Sequence, residues 1–145
     1  MRIDTGTWVL VADGERYLLL RNDGTRARID LRVIGERAVE NPPTREQGTD
    51  RPGRFDNAAA GPSTAEVTDW HRLEKERFAK DLADRLRLWA LDDRFRSLVL
   101  VADPRTLGLL RAELHKTVVE RLAGEIDKDL TRMPVPEIEA ALEAA

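Results

Sequence analysis

The sequence contains no cysteine. Disulfides, thiolate nucleophiles and cysteine-ligated zinc are therefore excluded, and the composition fits a reducing compartment. Histidine is scarce: His71 and His115 are the two present. Neither stands beside a serine or aspartate in a catalytic motif, so no hydrolase triad or histidine metal site is expected. Long apolar runs are also missing. None approaches the roughly 20 residues that span a bilayer, and residues 8–12 are too few for a signal-peptide core. A cytoplasmic location without a membrane partner is the expectation. There is no Gly-x-Gly-x-x-Gly and no phosphate-binding loop pattern, so no cofactor is expected. Excess positive charge is absent as well. The net charge of −3 is not that of a dedicated DNA-binding protein, although a local basic patch stays open.

What is present is enough for one core. The chain has 145 residues, 41% of them hydrophobic, which suits a single domain over residues 1–145. Its first third reads as strands. Thr7-Trp8-Val9-Leu10-Val11-Ala12 is an apolar run closed by the Asp13-Gly14 turn. Arg16-Tyr17-Leu18-Leu19-Leu20 follows, with a second turn at Asn22-Asp23-Gly24-Thr25. Ala27, Ile29, Leu31 and Val33 then alternate with Arg28, Asp30, Arg32 and Ile34, the period of a half-buried strand. The short turns between these strands imply antiparallel pairing.

From Asn41 the composition changes. Residues 41–67 carry Pro42, Pro43, Gly48, Pro52, Gly53, Gly61 and Pro62, and little apolar content beyond Phe55 and Val67. No period survives, so the stretch reads as a long polar loop, either functional or disordered. Helical spacing follows in Leu73, Phe78, Leu82, Leu86 and Trp89, which predicts an amphipathic helix over 68–91 capped by Thr68 or Asp69. Leu98-Val99-Leu100-Val101-Ala102 reads as a buried strand. Asp103-Pro104 then starts a helix whose apolar positions run from Leu107 to Leu122. Residues 124–130 read as an edge strand. A last helix begins at Pro134 and Pro136, with Ile138 and Leu142 inward. The order is β-β-β-(long loop)-α-β-α-β-α. Three antiparallel strands feed parallel ones through right-handed crossovers into a mixed central sheet. This is the element order of a ribonuclease H-like α/β fold.

Two site hypotheses arise from the residues. Asp13 and Asp103 end strands, where carboxylates can hold the metal ions of a nuclease, with Glu74 or Asp81 as a third ligand. Both also have ordinary structural roles, Asp13 in an Asp-Gly turn and Asp103 as an N-cap, and these are the stronger reading. The other hypothesis lies in the loop. Arg45, Arg51 and Arg54 offer guanidinium forks suited to phosphate or carboxylate. Gly53 permits close backbone approach, and Phe55 supplies a ring. Trp8 and Trp89 read as core, whereas Trp70, at the junction of loop and helix, is open to either role.

The segments Trp8-Val9-Leu10-Val11-Ala12-Asp13-Gly14, Arg51-Pro52-Gly53-Arg54-Phe55-Asp56, Phe78-Ala79-Lys80-Asp81-Leu82-Ala83, Leu98-Val99-Leu100-Val101-Ala102 with Pro104, Leu107-Gly108-Leu109-Leu110-Arg111 and Lys128-Asp129-Leu130-Thr131 together resemble the bacterial host attachment protein family. That family is also described as a bacterial and archaeal group related to the eukaryotic-type release factor. The resemblance implies a fold like the release factor's middle domain, in which a Gly-Gly-Gln loop precedes a long helix. Here Pro52-Gly53-Arg54 takes the comparable place and no Gly-Gly-Gln occurs. The expectation is a non-catalytic, translation-related module that meets ribosome, tRNA or other RNA through Arg45, Arg51, Gly53, Arg54 and Phe55. The alternatives are a protein-interaction module linked to host attachment and a metal-dependent nuclease.

Overall fold

The computed structural model describes residues 1–38 and 64–145. Three strands come first: β1 (Trp8–Ala12), β2 (Arg16–Asn22) and β3 (Leu31–Ala38). The long helix α1 (Thr64–Leu91) precedes β4 (Leu98–Ala102), α2 (Pro104–Glu113) and the single turn α3 (Lys116–Val119). β5 (Leu122–Ile126) and α4 (Val135–Ala144) close the order. The strands form one mixed sheet in the order β3-β2-β1-β4-β5. β1 and β2, and β2 and β3, pair antiparallel, whereas β4 runs parallel to both β1 and β5.

The two apolar runs occupy the sheet's centre because both of their faces are covered. In β1 and β4 every residue is buried. Trp8, Leu10, Leu98 and Leu100 face α1 and α2, where Leu82, Leu86 and Leu110 meet them. Val9, Val11, Val99 and Val101 face the other way and pack with Ile138 and Leu142 of α4. Alternation on a strand thus separates two half-cores, giving helix–sheet–helix layers. Trp8 stands edge-on to Trp89 at 5.7 Å between ring centroids and lies 5.0 Å from Phe95, so both tryptophans expected in the core are packing residues.

Four local expectations are corrected. α1 begins at Thr64, so Thr68 and Asp69 lie within the helix and do not cap it. Its first turn lacks apolar periodicity, although Ala65 and Glu66 favour helix. The third strand starts at Leu31. Residues 23–30 form a folded connection in which the Asn22 Oδ1 accepts from the amides of Gly24 (2.9 Å) and Asp30 (3.0 Å). A Cβ at Gly24 would collide with the Arg28 carbonyl, which explains glycine there. A register shift opposite Leu19 and Leu20 then places an extra residue in β3 between Val33 and Gly35, and Val33, on the edge strand of the sheet, is exposed despite its apolar period.

The helix expected to run from Leu107 to Leu122 is two helices. Leu114 is extended, and the His115 Nδ1 accepts from the Thr117 amide at 3.2 Å to start α3. Leu122 already belongs to β5. The final strand is an edge strand as expected, but it ends at Ile126, before Asp127, Lys128 and Asp129.

Candidate functional site

The parallel strands β1 and β4 end at the same sheet edge. Ala12 pairs with Ala102, so Asp13 and Asp103 are the next residues on neighbouring strands. In open α/β sheets this carboxyl edge is where ligands bind. β3 also finishes there, since its last residue, Ala38, pairs with Arg16 at the start of β2. α1 reaches the same edge from above: a Cβ at Gly14 would lie 2.8 Å from the Lys75 Cγ. The helix is 28 residues long, about 42 Å, against strands of about 17 Å for five residues. Its part before Lys75 therefore projects beyond the sheet edge.

Both strand-end carboxylates are engaged by the fold. The Asp13 Oδ1 accepts from the amides of Glu15 (2.7 Å) and Arg16 (2.8 Å), while its Oδ2 accepts from the Thr131 hydroxyl (3.2 Å). Asp103 is an N-cap, as expected. Its Oδ2 accepts from the Thr106 amide (3.1 Å) and its Oδ1 from the Thr106 hydroxyl (2.7 Å). These bonds draw the two groups apart, because Thr131 adjoins Leu130 in the α4 layer and Thr106 adjoins Leu107 in the α1–α2 layer. Of the suggested third ligands, Glu74 is half-buried and Asp81 exposed on α1. Among the described residues no three histidine, cysteine or carboxylate groups gather as a metal site.

Beside this edge, α1 and the β2–β3 pair enclose a groove of about 940 Å³. Tyr17, Phe78 and Leu82 give it an apolar floor, and Arg37, Arg85, Asp81 and Asp84 charge its walls. Sequence periodicity found Phe78 and Leu82, but not Tyr17 and Arg37, which meet them only once the sheet has formed. Burial pushes the Tyr17 hydroxyl above its ordinary range, and the Arg37 guanidinium partly opposes this. The sign of the pH effect follows. The unfolded chain releases the phenolic proton more readily, so stability is intact below the unfolded pKa of about 10 and falls as pH rises through the higher folded value. Chemical denaturation across that alkaline range is expected to show a steeper loss in the wild type than in Tyr17→Phe; equal slopes would disprove the linkage.

Arg45, Arg51, Gly53, Arg54 and Phe55 lie outside the described residues. The elements on either side of them do not. Ala38 ends β3 at the carboxyl edge, and α1 begins on the projecting side of Lys75. Trp70, in that projecting part, is exposed.

A five-stranded mixed sheet between helices defines the chain as a single α/β domain. Among the described residues no helix is long and apolar enough to cross a membrane. The model of the bacterial archaeo-eukaryotic release factor family 12 matches residues 6–142, and the chain belongs to that family. It is a release-factor-related, translation-related class of module. No curated protein matches the chain.

Proposed function

We propose that this chain is a non-catalytic module that associates with the ribosome or with RNA through the segment between β3 and α1. Arg51 and Arg54 are its principal phosphate contacts, Arg45 a further one, and Phe55, freed for approach by Gly53, a stacking surface. The observation that carries this reading is the position of the segment's two anchoring elements. β3 ends at the carboxyl edge of the parallel strands, and α1 begins beyond that edge on the same side; this is the edge where an α/β sheet offers its ligand site. Three arginines in a segment whose flanking elements lie on that side of the sheet suit a polyanion better than a small neutral substrate. The order β3-β2-β1-β4-β5 is consistent with a ribonuclease H-like domain of the release-factor middle type. The absence of Gly-Gly-Gln removes the group that would carry peptidyl-tRNA hydrolysis in such a domain.

Co-sedimentation with ribosomes and with purified RNA, at increasing salt, tests the proposal. Binding should weaken with salt because phosphate contacts release counterions. Arg51→Ala with Arg54→Ala should flatten the logarithmic salt dependence by about 1.5 to 2. Unchanged binding by the double variant would sink the idea. Capture of a partner that survives nuclease treatment would instead favour the protein-interaction alternative, including a link to host attachment.

A further inference from the structure

The face of α1 turned away from the sheet has a symmetric pattern. At about 3.6 residues per turn, Trp70, Leu73, Arg77, Asp84, Leu88 and Leu91 fall along one stripe, opposite the buried Phe78, Leu82, Leu86 and Ala90; Asp84 and Leu88 also border the groove beside β2 and β3. The stripe is apolar at both ends and charged in the middle. Trp70 and Leu73 are 48% and 50% exposed, and Leu88 and Leu91 are 61% and 57% exposed. Each pair is spaced i, i+3. Between them the basic residues come first, Arg77 and Lys80, and the acidic ones second, Asp81 and Asp84; all four are exposed. None of the four makes an ion pair within 4.0 Å among the described residues. Their i, i+4 spacing within the helix sets base before acid, the weaker orientation for a helical pair.

We infer that this face binds a second copy of the chain, α1 against α1 in antiparallel sense. Antiparallel pairing about a two-fold axis beside Lys80 and Asp81 matches the apolar ends with each other and Arg77 with Asp84 in one register. Trp70 and Leu73 meet Leu88 and Leu91 of the second copy, and the reverse pairing occurs at the other end. Arg77 faces Asp84 of the second copy, with the flanking Lys80 beside that same carboxylate and Asp81 beside the guanidinium of the second copy. A two-fold contact must be self-complementary, with each residue's partner on the same patch; the apolar ends and the Arg77–Asp84 pairs have that property, and at the axis Lys80 and Asp81 each lie near their own mates with an opposite charge flanking them. A parallel pairing would put Arg77 on Arg77 and Asp84 on Asp84. A random partner would not require the basic and acidic halves to mirror each other. The contact covers large apolar side chains that are exposed among the described residues.

Sedimentation equilibrium of the full chain over a wide concentration range should show a monomer–dimer equilibrium. Arg77→Asp alone and Asp84→Arg alone should each weaken dimerisation about 10-fold, because each turns two attractive pairs into repulsive ones. Carrying both changes in one chain should restore it, since the exchanged charges again face opposite signs across the axis. The cysteine-free sequence allows a second test that fixes the register. Oxidised Asp81→Cys should form a disulfide-linked dimer, because the residue lies next to its own mate at the axis. Trp70→Cys should not, because its mate lies about 30 Å away along the helix. Each variant's circular dichroism establishes that it is folded. A chain that stays monomeric at the highest concentration overturns the inference. So does a dimer indifferent to Arg77→Asp, or cross-linking of the Trp70→Cys variant without cross-linking of the Asp81→Cys variant.

Discussion

Asn22→Ala is expected to destabilise the domain by about 3 kcal/mol, a fall in Tm of about 10 °C. The side chain is fully buried and makes four hydrogen bonds to backbone. Its Nδ2 donates to the carbonyls of Ile3 (3.1 Å) and Asp4 (3.2 Å), and its Oδ1 accepts from the amides of Gly24 and Asp30. One amide thus ties the N-terminal segment to β2 and organises the route into β3. Alanine leaves two carbonyls and two N–H groups without that partner, and those in the interior cannot all recover water. The magnitude is set by unsatisfied groups, at about 1–3 kcal/mol for each one truly buried. Asn22→Asp should not rescue stability, because it replaces the donor with an oxygen facing two carbonyls. Urea denaturation of the three proteins measures this. A loss within about 0.5 kcal/mol for Asn22→Ala, the level of an ordinary surface change, would mean that water takes over the amide's role.

Leu100→Ala should cost about 2–5 kcal/mol, the range for a leucine truncated in a packed core. Leu100 is fully buried at the middle of β4. It stands between Leu10 of β1 and Glu125 of β5 in the ladder and packs in the cluster beneath α1 and α2. Strands on both sides and helices above hold the site open, so the surroundings cannot collapse onto the missing methyl groups. Leu88→Ala is the matched control: the same atoms are removed from a side chain already in water, and in dilute solution the change should stay within about 0.5 kcal/mol. Equal losses from the two variants would show that burial of the β4 face is not what holds the sheet and helices together. At concentrations where α1 pairs with α1, Leu88→Ala should instead reduce the dimer, which separates the two roles of leucine in this chain.

Much of this architecture could be read before folding, and the readable parts share a property. Residues 98–102 are continuously apolar, which requires cover on both faces, and β4 has it. Asp103 followed by Pro104 announced a helix start, and Asp103 caps α2 through its own side chain. Ile138 and Leu142, four apart, are the buried residues of α4. The unread parts depended on distant partners. The frame of β3 was set by Asn22, which seized the amide of Asp30, and by the extra residue opposite Leu19 and Leu20. The break at Leu114 interrupted a leucine period that looked helical throughout. The groove could be only half read, since Tyr17 and Phe78 lie far apart in sequence.

The local chemistry of the chain was therefore sufficient for its class. Apolar runs, period, caps and the proline-rich interval specify an α/β domain with one long insertion, because each is a property of residues within a few positions of one another. Its prolines and glycines mark that insertion by composition. Only tertiary structure decided that β1 stands at the centre of the sheet, that Asp13 and Asp103 share an edge yet turn to different layers, and that both anchors of the insertion lie on the side of that edge. These depend on which strands pair and on which side each helix crosses, and pairing is a contest between distant segments that no local pattern encodes. The same holds for the outer face of α1. Its residues were in the sequence, but their exposure became known only when the sheet had taken the opposite face.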